Sequence, residues 1–301
     1  MRVYSSTVAD FQRKLLTNEL FEELQKLYPK VVGRSPSPNE VGSWRASLPR
    51  LEAVLRLARI PEDADDAFEE KIPYFSQRAD VMLAGHDLQG RPHIIVVELK
   101  AWTKATSLPN GNVLTLLGGS QVESAHPCAQ VGAYTDHLRD FCLAFHDFHE
   151  IELSSCSYCH NYAGEIPDDG LFDPISDSCR VKSPTFGEKD AVRMAEFLSP
   201  RLTGGQGGKV IEKFDAAGVG PSKQLIEHAS EMIRRQNAAQ RASCDGAAFD
   251  QDDRQHRFRS TTTKISAKVI AFFSFDHLRC GICAGRATPR ASESMAARRF
   301  F

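Results

Sequence analysis

No stretch of the sequence approaches the ~18 consecutive apolar residues that a membrane-crossing helix needs, and the opening residues MRVYSSTVADFQRKLL lack the apolar centre of a secretory signal. A membrane partner is therefore not expected, and a cytoplasmic location is. A surplus of charge is equally missing. Lys and Arg number 37 against 39 Asp and Glu, a formal net charge of -2, so any attraction for a polyanion has to come from a local surface. Tryptophan is scarce: the 2 present, Trp44 and Trp102, read as packing residues rather than base-stacking platforms. No internal repeat is found.

Cysteine is present but dispersed. Eight cysteines in 301 residues do not form the dense framework of a small disulfide-stapled domain, and they fit reduced thiols in a reducing compartment. Cys156-x-x-Cys159 and Cys280-x-x-Cys283 could make a four-thiolate zinc site. The pairs lie far apart in sequence, however, and the first falls in a strand segment whose alternation would not aim both thiols alike. Buried or incidental cysteines are the preferred reading.

The composition is that of a globular protein with room for a sizeable core. Phe11, Leu15, Leu20, Leu24 and Leu27 recur near helical spacing and predict a helix or helix pair over residues 7–28. After the breaker GRSPSPNE, a second helical pattern runs from Glu40 through Trp44, Leu48, Leu51 and Leu55, with Pro49 as a kink or boundary. An acidic loop, PEDADDAFEE, leads to three strand-like segments, EKIPYF, ADVMLAG and PHIIVVELK, forming a meander. His126-Pro127 opens a helix carrying Val131, Tyr134, Leu138, Phe141 and Phe145, and EIELSSCSYC follows as a strand. Two later helices are expected, over about 188–202 and 221–235, divided by TGGQGGK. That run is read as a flexible linker. Thr203 and Val210 replace the first Gly and the Ser/Thr of a P-loop, so no nucleotide is assigned to it.

The chemistry concentrates at IIVVELKAW, where an apolar strand ends in an acid and a base two residues apart. Strand alternation places Glu98 and Lys100 on one surface about 7 Å apart, with Leu99 in the opposite layer. Asp80 opens the preceding strand, and pairing across the HDLQGR turn would lay its carboxylate beside Glu98. Two such carboxylates make a hard-oxygen site for Mg2+ or Mn2+. Lys100 could orient or deprotonate a metal-bound water, or stabilise charge growing on phosphorus. Gln130 and Tyr134, four apart on the following helix, could reach the same phosphate or metal water. The plain alternative is a pair of solvated strand-end acids with Lys100 as an ordinary ion-pair partner. Arg78, Lys100, Lys104 and Arg139 cluster around this region in sequence as candidate phosphate contacts.

The order Glu40, Asp80, Glu98-Leu99-Lys100 and Gln130-x-x-x-Tyr134 resembles the PD-(D/E)XK nuclease superfamily, in particular RecB-type members with a QxxxY helix. More narrowly, NEVGSWRASL, EEKIPYFSQRADVMLAG, VVELKAW, HPCAQVGAYTDHL, CSYCHNY and GPSKQLI resemble, in order, the nuclease-like region that precedes the Schlafen group-3-like DNA/RNA helicase domain. The likeness covers about residues 1–238. It implies an α/β fold with a restriction-endonuclease-like αβββαβ core, a mixed central sheet flanked by helices. It also implies Asp80 and Glu98 as metal ligands with the Leu99 carbonyl as a third, Lys100 as catalytic base, and Glu40 as the helix-borne acid. Glu69 matches a recurrent acid of the narrower family, and His126 matches a position open to a cap, a fold contact or a phosphate contact. Relatives continue into a P-loop ATPase, which would here be a separate partner. Residues 239–301 carry no family likeness and suggest a poorly ordered or frame-shifted tail.

The resulting expectation is a metal-dependent hydrolase of nucleic-acid phosphodiesters, DNA ahead of RNA, serving defence or repair. The rivals are a nucleic-acid-binding or interaction module without catalysis, and a fragment of a nuclease-helicase protein.

Overall fold

The computed structural model describes residues 2–71, 78–117, 119–146, 151–164 and 170–245. The described residues divide between two units, one of residues up to Ile226 and one from Glu227 on. In chain order the elements are β1 (Tyr4–Thr7), α1 (Val8–Thr17), α2 (Glu19–Val32), α3 (Pro38–Leu57), β2 (Asp65–Lys71), β3 (Arg78–His86), β4 (Pro92–Lys100), β5 (Ala105–Ser107), β6 (Asn112–Leu117), β7 (Ser120–Ala125), α4 (Pro127–Phe141), β8 (Glu152–Cys159), α5 (Asp177–Lys182), β9 (Thr185–Phe186), α6 (Ala191–Leu198), α7 (Gly207–Ala216) and α8 (Lys223–Asp245). Among the described residues no helix is long and apolar enough to cross a membrane.

The fold is α/β. Six strands form a mixed sheet in the order β1-β2-β3-β4-β8-β9. The first four pair antiparallel, while β4 to β8 and β8 to β9 pair parallel. The parallel pairing of β4 with β8 requires a crossover, and α4 supplies it. The run α3, β2, β3, β4, α4, β8 is thus an αβββαβ core. A separate antiparallel sheet, β5-β6-β7, is inserted between β4 and α4.

Alternation along the strands divides the core into two layers. Val81, Leu83, Ile95 and Val97 pack with Phe11, Leu20, Leu24 and Leu51 of the N-terminal helices. Met82, Ala84, Ile94 and Val96 pack with Val131, Tyr134 and Leu138 of α4 and Val210 and Phe214 of α7. With both faces covered, β4 is buried at every residue from His93 to Leu99, which explains its near-continuous apolar sequence.

Local chemistry sets the helix ends. Ser37 and Glu40 form a reciprocal capping box at the start of α3, with Pro38 in its first turn. The first two helices are separated at Asn18, which takes a left-handed conformation at φ 62°. Pro49 does not end its helix, because α3 runs through it to Leu57. The burial of Leu48, Leu51, Val54 and Leu55 outweighs the ~3 kcal/mol that an interior proline costs.

Two other expectations need correction. The stretch PEDADDAFEE is not a loop throughout, since β2 begins at Asp65. Of the expected strand EKIPYF only Glu70 and Lys71 fall within β2, and residues 72–77 lie outside the described residues. The strand carries Asp66 with no exposure at all. Ser6 Oγ donates to its Oδ1 at 2.8 Å, and burial raises its carboxyl well above the ordinary range. Burial in this strand interior thus favours the neutral acid over the carboxylate. Because the folded state holds the proton more tightly than the unfolded chain, stability is full below the ordinary carboxylate range and falls as pH rises toward the raised value. Asp66→Asn is expected to melt on the order of 3 °C or more above wild type at pH 7, with the gap closing near pH 3 to 4, as followed by thermal circular dichroism.

TGGQGGK is likewise not a linker. Gly204 exchanges backbone hydrogen bonds with His86 at 2.9 Å each way, and α7 begins at Gly207. A Cβ on Gly207 would stand 2.1 Å from the Asp65 nitrogen and 2.5 Å from the Ala84 oxygen. The glycine lets α7 sit on β2 and β3. Gly207→Ala is expected to lose about 1–3 kcal/mol in urea unfolding. Gly208→Ala, whose Cβ would meet nothing closer than 3.5 Å, is expected to hold or gain stability.

Candidate active site

The register of β3 and β4 ends at Val81 opposite Val97, so one step further along the two strands come Asp80 and Glu98. Ile94 and Val96 face α4, and alternation carries Glu98 and Lys100 to that same face. Leu99 goes to the other, with Ile95 and Val97. The Asp80 carboxylate ties the two strand ends together, its Oδ2 accepting from the Leu99 backbone N–H at 2.9 Å.

Glu98 is the centre of the cluster and is only 1% exposed. Its Oε1 lies 2.6 Å from the Lys100 Nζ and accepts from Gln130 Nε2, also at 2.6 Å. The same Gln130 nitrogen is 2.6 Å from the Tyr134 hydroxyl oxygen, to which it donates. Gln130 and Tyr134 project toward β4 because they lie one turn apart on α4. Lys100 is held by opposing effects: burial disfavours its charge, but the Glu98 and Asp80 carboxylates outweigh burial and raise its amine above the ordinary value. It is therefore an ammonium in this arrangement, and it lies 5.6 Å from the centre of the Trp102 ring.

A cavity of about 380 Å³ opens beside the cluster between α3 and α4. Asp80, Gln130 and Tyr134 line it, together with Glu40 and Arg78. Glu40 is heavily committed within the fold. It accepts a two-pronged contact from Arg34 with both arms at 2.7 Å, the Ser37 backbone N–H at 2.7 Å and the Tyr28 hydroxyl. The Arg34 guanidinium holds its carboxyl well below the usual range. Arg78 donates to the Tyr28 hydroxyl at 2.7 Å and lies 3.7 Å from Glu40. Glu40 and Arg78 thus reach the cavity as one network with Tyr28 and Arg34.

No protein-family model, curated protein or solved structure matches this chain.

His126 is almost fully buried. Its Nδ1 accepts from the Cys128 backbone N–H at 3.2 Å, and its Nε2 donates to the Leu171 carbonyl at 3.0 Å. It caps α4, and the structure gives it no surface for a phosphate. Lys104 is exposed and does not line the cavity. Arg139, near the other end of α4, donates to the Leu153 carbonyl at 2.9 Å. The side chain of Glu69 lies outside the described residues. Cys156 and Cys159 are fully buried in different apolar clusters, and Cys280 and Cys283 lie outside the described residues.

Sequence reasoning passed over Ser47. Its hydroxyl is 2.8 Å from His160 Nε2, and the His160 backbone N–H donates to the Lys100 carbonyl at 3.1 Å. This chain of bonds fixes α3 to the end of β4. Helical spacing offered a signal, since Glu40, Trp44, Ser47 and Leu48 recur at intervals of three and four along the cavity side of α3.

The donor chemistry of Asp80, Glu98 and the Leu99 carbonyl suits a hard divalent cation such as Mg2+ or Mn2+, which takes oxygen ligands and keeps several waters. Among the described residues no group of three or more His, Cys, Asp or Glu side chains is arranged to hold a metal. Any ion at this position would thus draw its remaining ligands from water and phosphate oxygens.

Proposed function

We propose that this chain hydrolyses nucleic-acid phosphodiester bonds, DNA ahead of RNA, with Mg2+ or Mn2+ held by Asp80 and Glu98. The carrying observation is the convergence of Lys100 and Gln130 on one oxygen of the buried Glu98, beside a cavity that Asp80 lines. A bound divalent ion would supply Lewis acidity and a water of lowered pKa. The protein's own groups have separate roles. Gln130 fixes the orientation of the Glu98 carboxylate and is itself held by Tyr134. Asp80 braces the two strand ends, and Lys100 places a positive charge where negative charge builds on the phosphoryl oxygens. The cavity, with Arg78 on its wall, is where this reading seats the nucleic-acid backbone.

A second reading is favoured by one observation: Glu98 Oε1 is already engaged by Lys100 and Gln130. On that reading the same cavity grips nucleic acid without cutting it. The two separate in one assay. Plasmid and single-stranded oligonucleotide are incubated with the protein in Mg2+, Mn2+ or EDTA. Cleavage that needs the metal and stops with EDTA is the expected result; binding with no cleavage in any metal would support the second reading.

A further inference from the structure

The cavity beside Glu98 has two unlike sides. Asp80, Gln130 and Tyr134 line one of them. The other is formed by Leu24, Trp44, Leu48 and Phe68, all buried members of the core layer that the N-terminal helices make with the sheet. A cavity walled by side chains this deep reaches below the surface, and its volume of about 380 Å³ falls within the roughly 300–1,000 Å³ of pockets that enclose small organic groups. The Tyr28 ring meets Trp44 edge-on with centres 5.4 Å apart, which holds the indole in place on this wall.

We infer that the inner side takes one nucleobase turned out of its stack, and that the substrate is therefore a single strand or an unpaired end rather than an intact duplex. The inference rests on the proposed function in taking nucleic acid as the substrate.

A phosphate does not suit the inner side, because a charged group set against apolar walls loses its water without gaining a partner. Glu40, which also lines the cavity, adds to that exclusion, since Arg34 holds its carboxyl well below the usual range and so keeps it ionised. The nearby guanidiniums of Arg34 and Arg78 are directed to Glu40 and Tyr28. A base has what the walls require: two apolar faces that stack on aromatic and aliphatic side chains, and an edge of hydrogen-bonding groups.

Ser47 supplies a partner for such an edge. It lines the cavity, and its hydroxyl lies 2.8 Å from His160 Nε2. Burial lowers the His160 imidazole, which is neutral at pH 7, and its Nδ1 donates to Asn161 Oδ1 at 3.0 Å. Nε2 is then the acceptor and Ser47 the donor. With its proton committed, the Ser47 oxygen meets an occupant only as an acceptor, which suits a ring or amino N–H of a base. In a duplex those N–H groups are already paired, and the base must be unpaired and unstacked before it can enter. In a single strand they are free.

The test measures binding by fluorescence anisotropy in EDTA, so that it does not depend on cutting. Three probes share one length: a single strand, the same strand in a blunt duplex, and a strand of abasic sugar-phosphates. The single strand should bind at least ~10-fold tighter than either of the others, the scale of one stacked base. Ser43 lines the cavity from an exposed position on α3. Ser43→Trp should fill the space and remove most of that preference, with wild-type affinity for the abasic strand. Irradiating the wild-type protein with a single strand that carries 5-iodouracil should cross-link the base to tryptic peptide 35–45, which holds Trp44. Equal binding of the three probes, a preference that Ser43→Trp leaves intact, or cross-linking confined to other peptides overturns the inference. Metal-dependent cutting is scored separately in Mg2+. A protein that cuts but binds the three probes equally keeps the hydrolysis and loses the base pocket; one that prefers the base-bearing strand through this cavity but never cuts keeps the pocket and loses the hydrolysis.

Discussion

Glu98→Gln will abolish metal-dependent cleavage, by at least about 10³-fold in rate, while leaving the fold near wild-type stability. The substitution keeps shape and one accepting oxygen but removes the negative charge that a divalent ion needs. Loss of a single preorganised electrostatic group in an active site costs about 10²–10³-fold, and loss of a metal ligand adds the loss of the ion itself. Stability should change by less than about 1 kcal/mol, the net worth of an ordinary hydrogen bond. Lys100 still lies in the field of Asp80, so its ammonium keeps a carboxylate nearby. The checks are plasmid cleavage under Mg2+ and urea unfolding of the same sample. A variant that cuts at wild-type rate would remove Glu98 from the reaction.

Lys100→Met has the opposite balance and the larger structural effect. Removing the ammonium leaves the carboxylate of Glu98, 2% exposed on its side chain, in a site that water barely reaches. Stripping one partner from a buried ion pair costs about 3–5 kcal/mol, because the remaining charge keeps its desolvation penalty. Cleavage should fall at least ~10²-fold from loss of the charge that faces the phosphoryl oxygens. The double variant Glu98→Gln/Lys100→Met separates the two effects. It should recover most of the lost stability, since neither charge is left buried, yet remain inactive. Equilibrium unfolding of the four proteins gives the coupling directly. Additive losses of stability would show that Glu98 and Lys100 do not act as a pair.

The sequence made β4 and α4 readable for local reasons. A strand buried on both faces has to be apolar throughout, and His126-Pro127 marks a helix start by capping chemistry that needs no tertiary contact. The same locality made the candidate residues legible. Glu98 and Lys100 share a face through strand alternation, Gln130 and Tyr134 through helical repeat, and Asp80 follows from the turn joining β3 to β4. What stayed hidden depends on distant partners. Asp65 and Asp66 discourage a strand until β1 and β3 pair on either side, and the glycines of α7 mimic a linker until Asp65 and Ala84 press against Gly207. The hairpin sheet β5-β6-β7 was passed over because its residues surround the turn formers Pro109, Asn110 and Gly111. The Ser47–His160 bond spans 113 positions, and no local pattern announces it. Glu40 was legible as a helix-borne acid, but its engagement by Arg34 and Tyr28 was not.

The most direct test of the metal-centred account is anomalous scattering at the manganese edge from crystals grown with Mn2+ and a short DNA oligonucleotide. The account expects a peak between the carboxylates of Asp80 and Glu98, with the Lys100 ammonium moved off Glu98 Oε1 and a phosphate oxygen near the ion. A Glu98–Lys100 pair unchanged under saturating Mn2+, with no peak between the two acids, would contradict it.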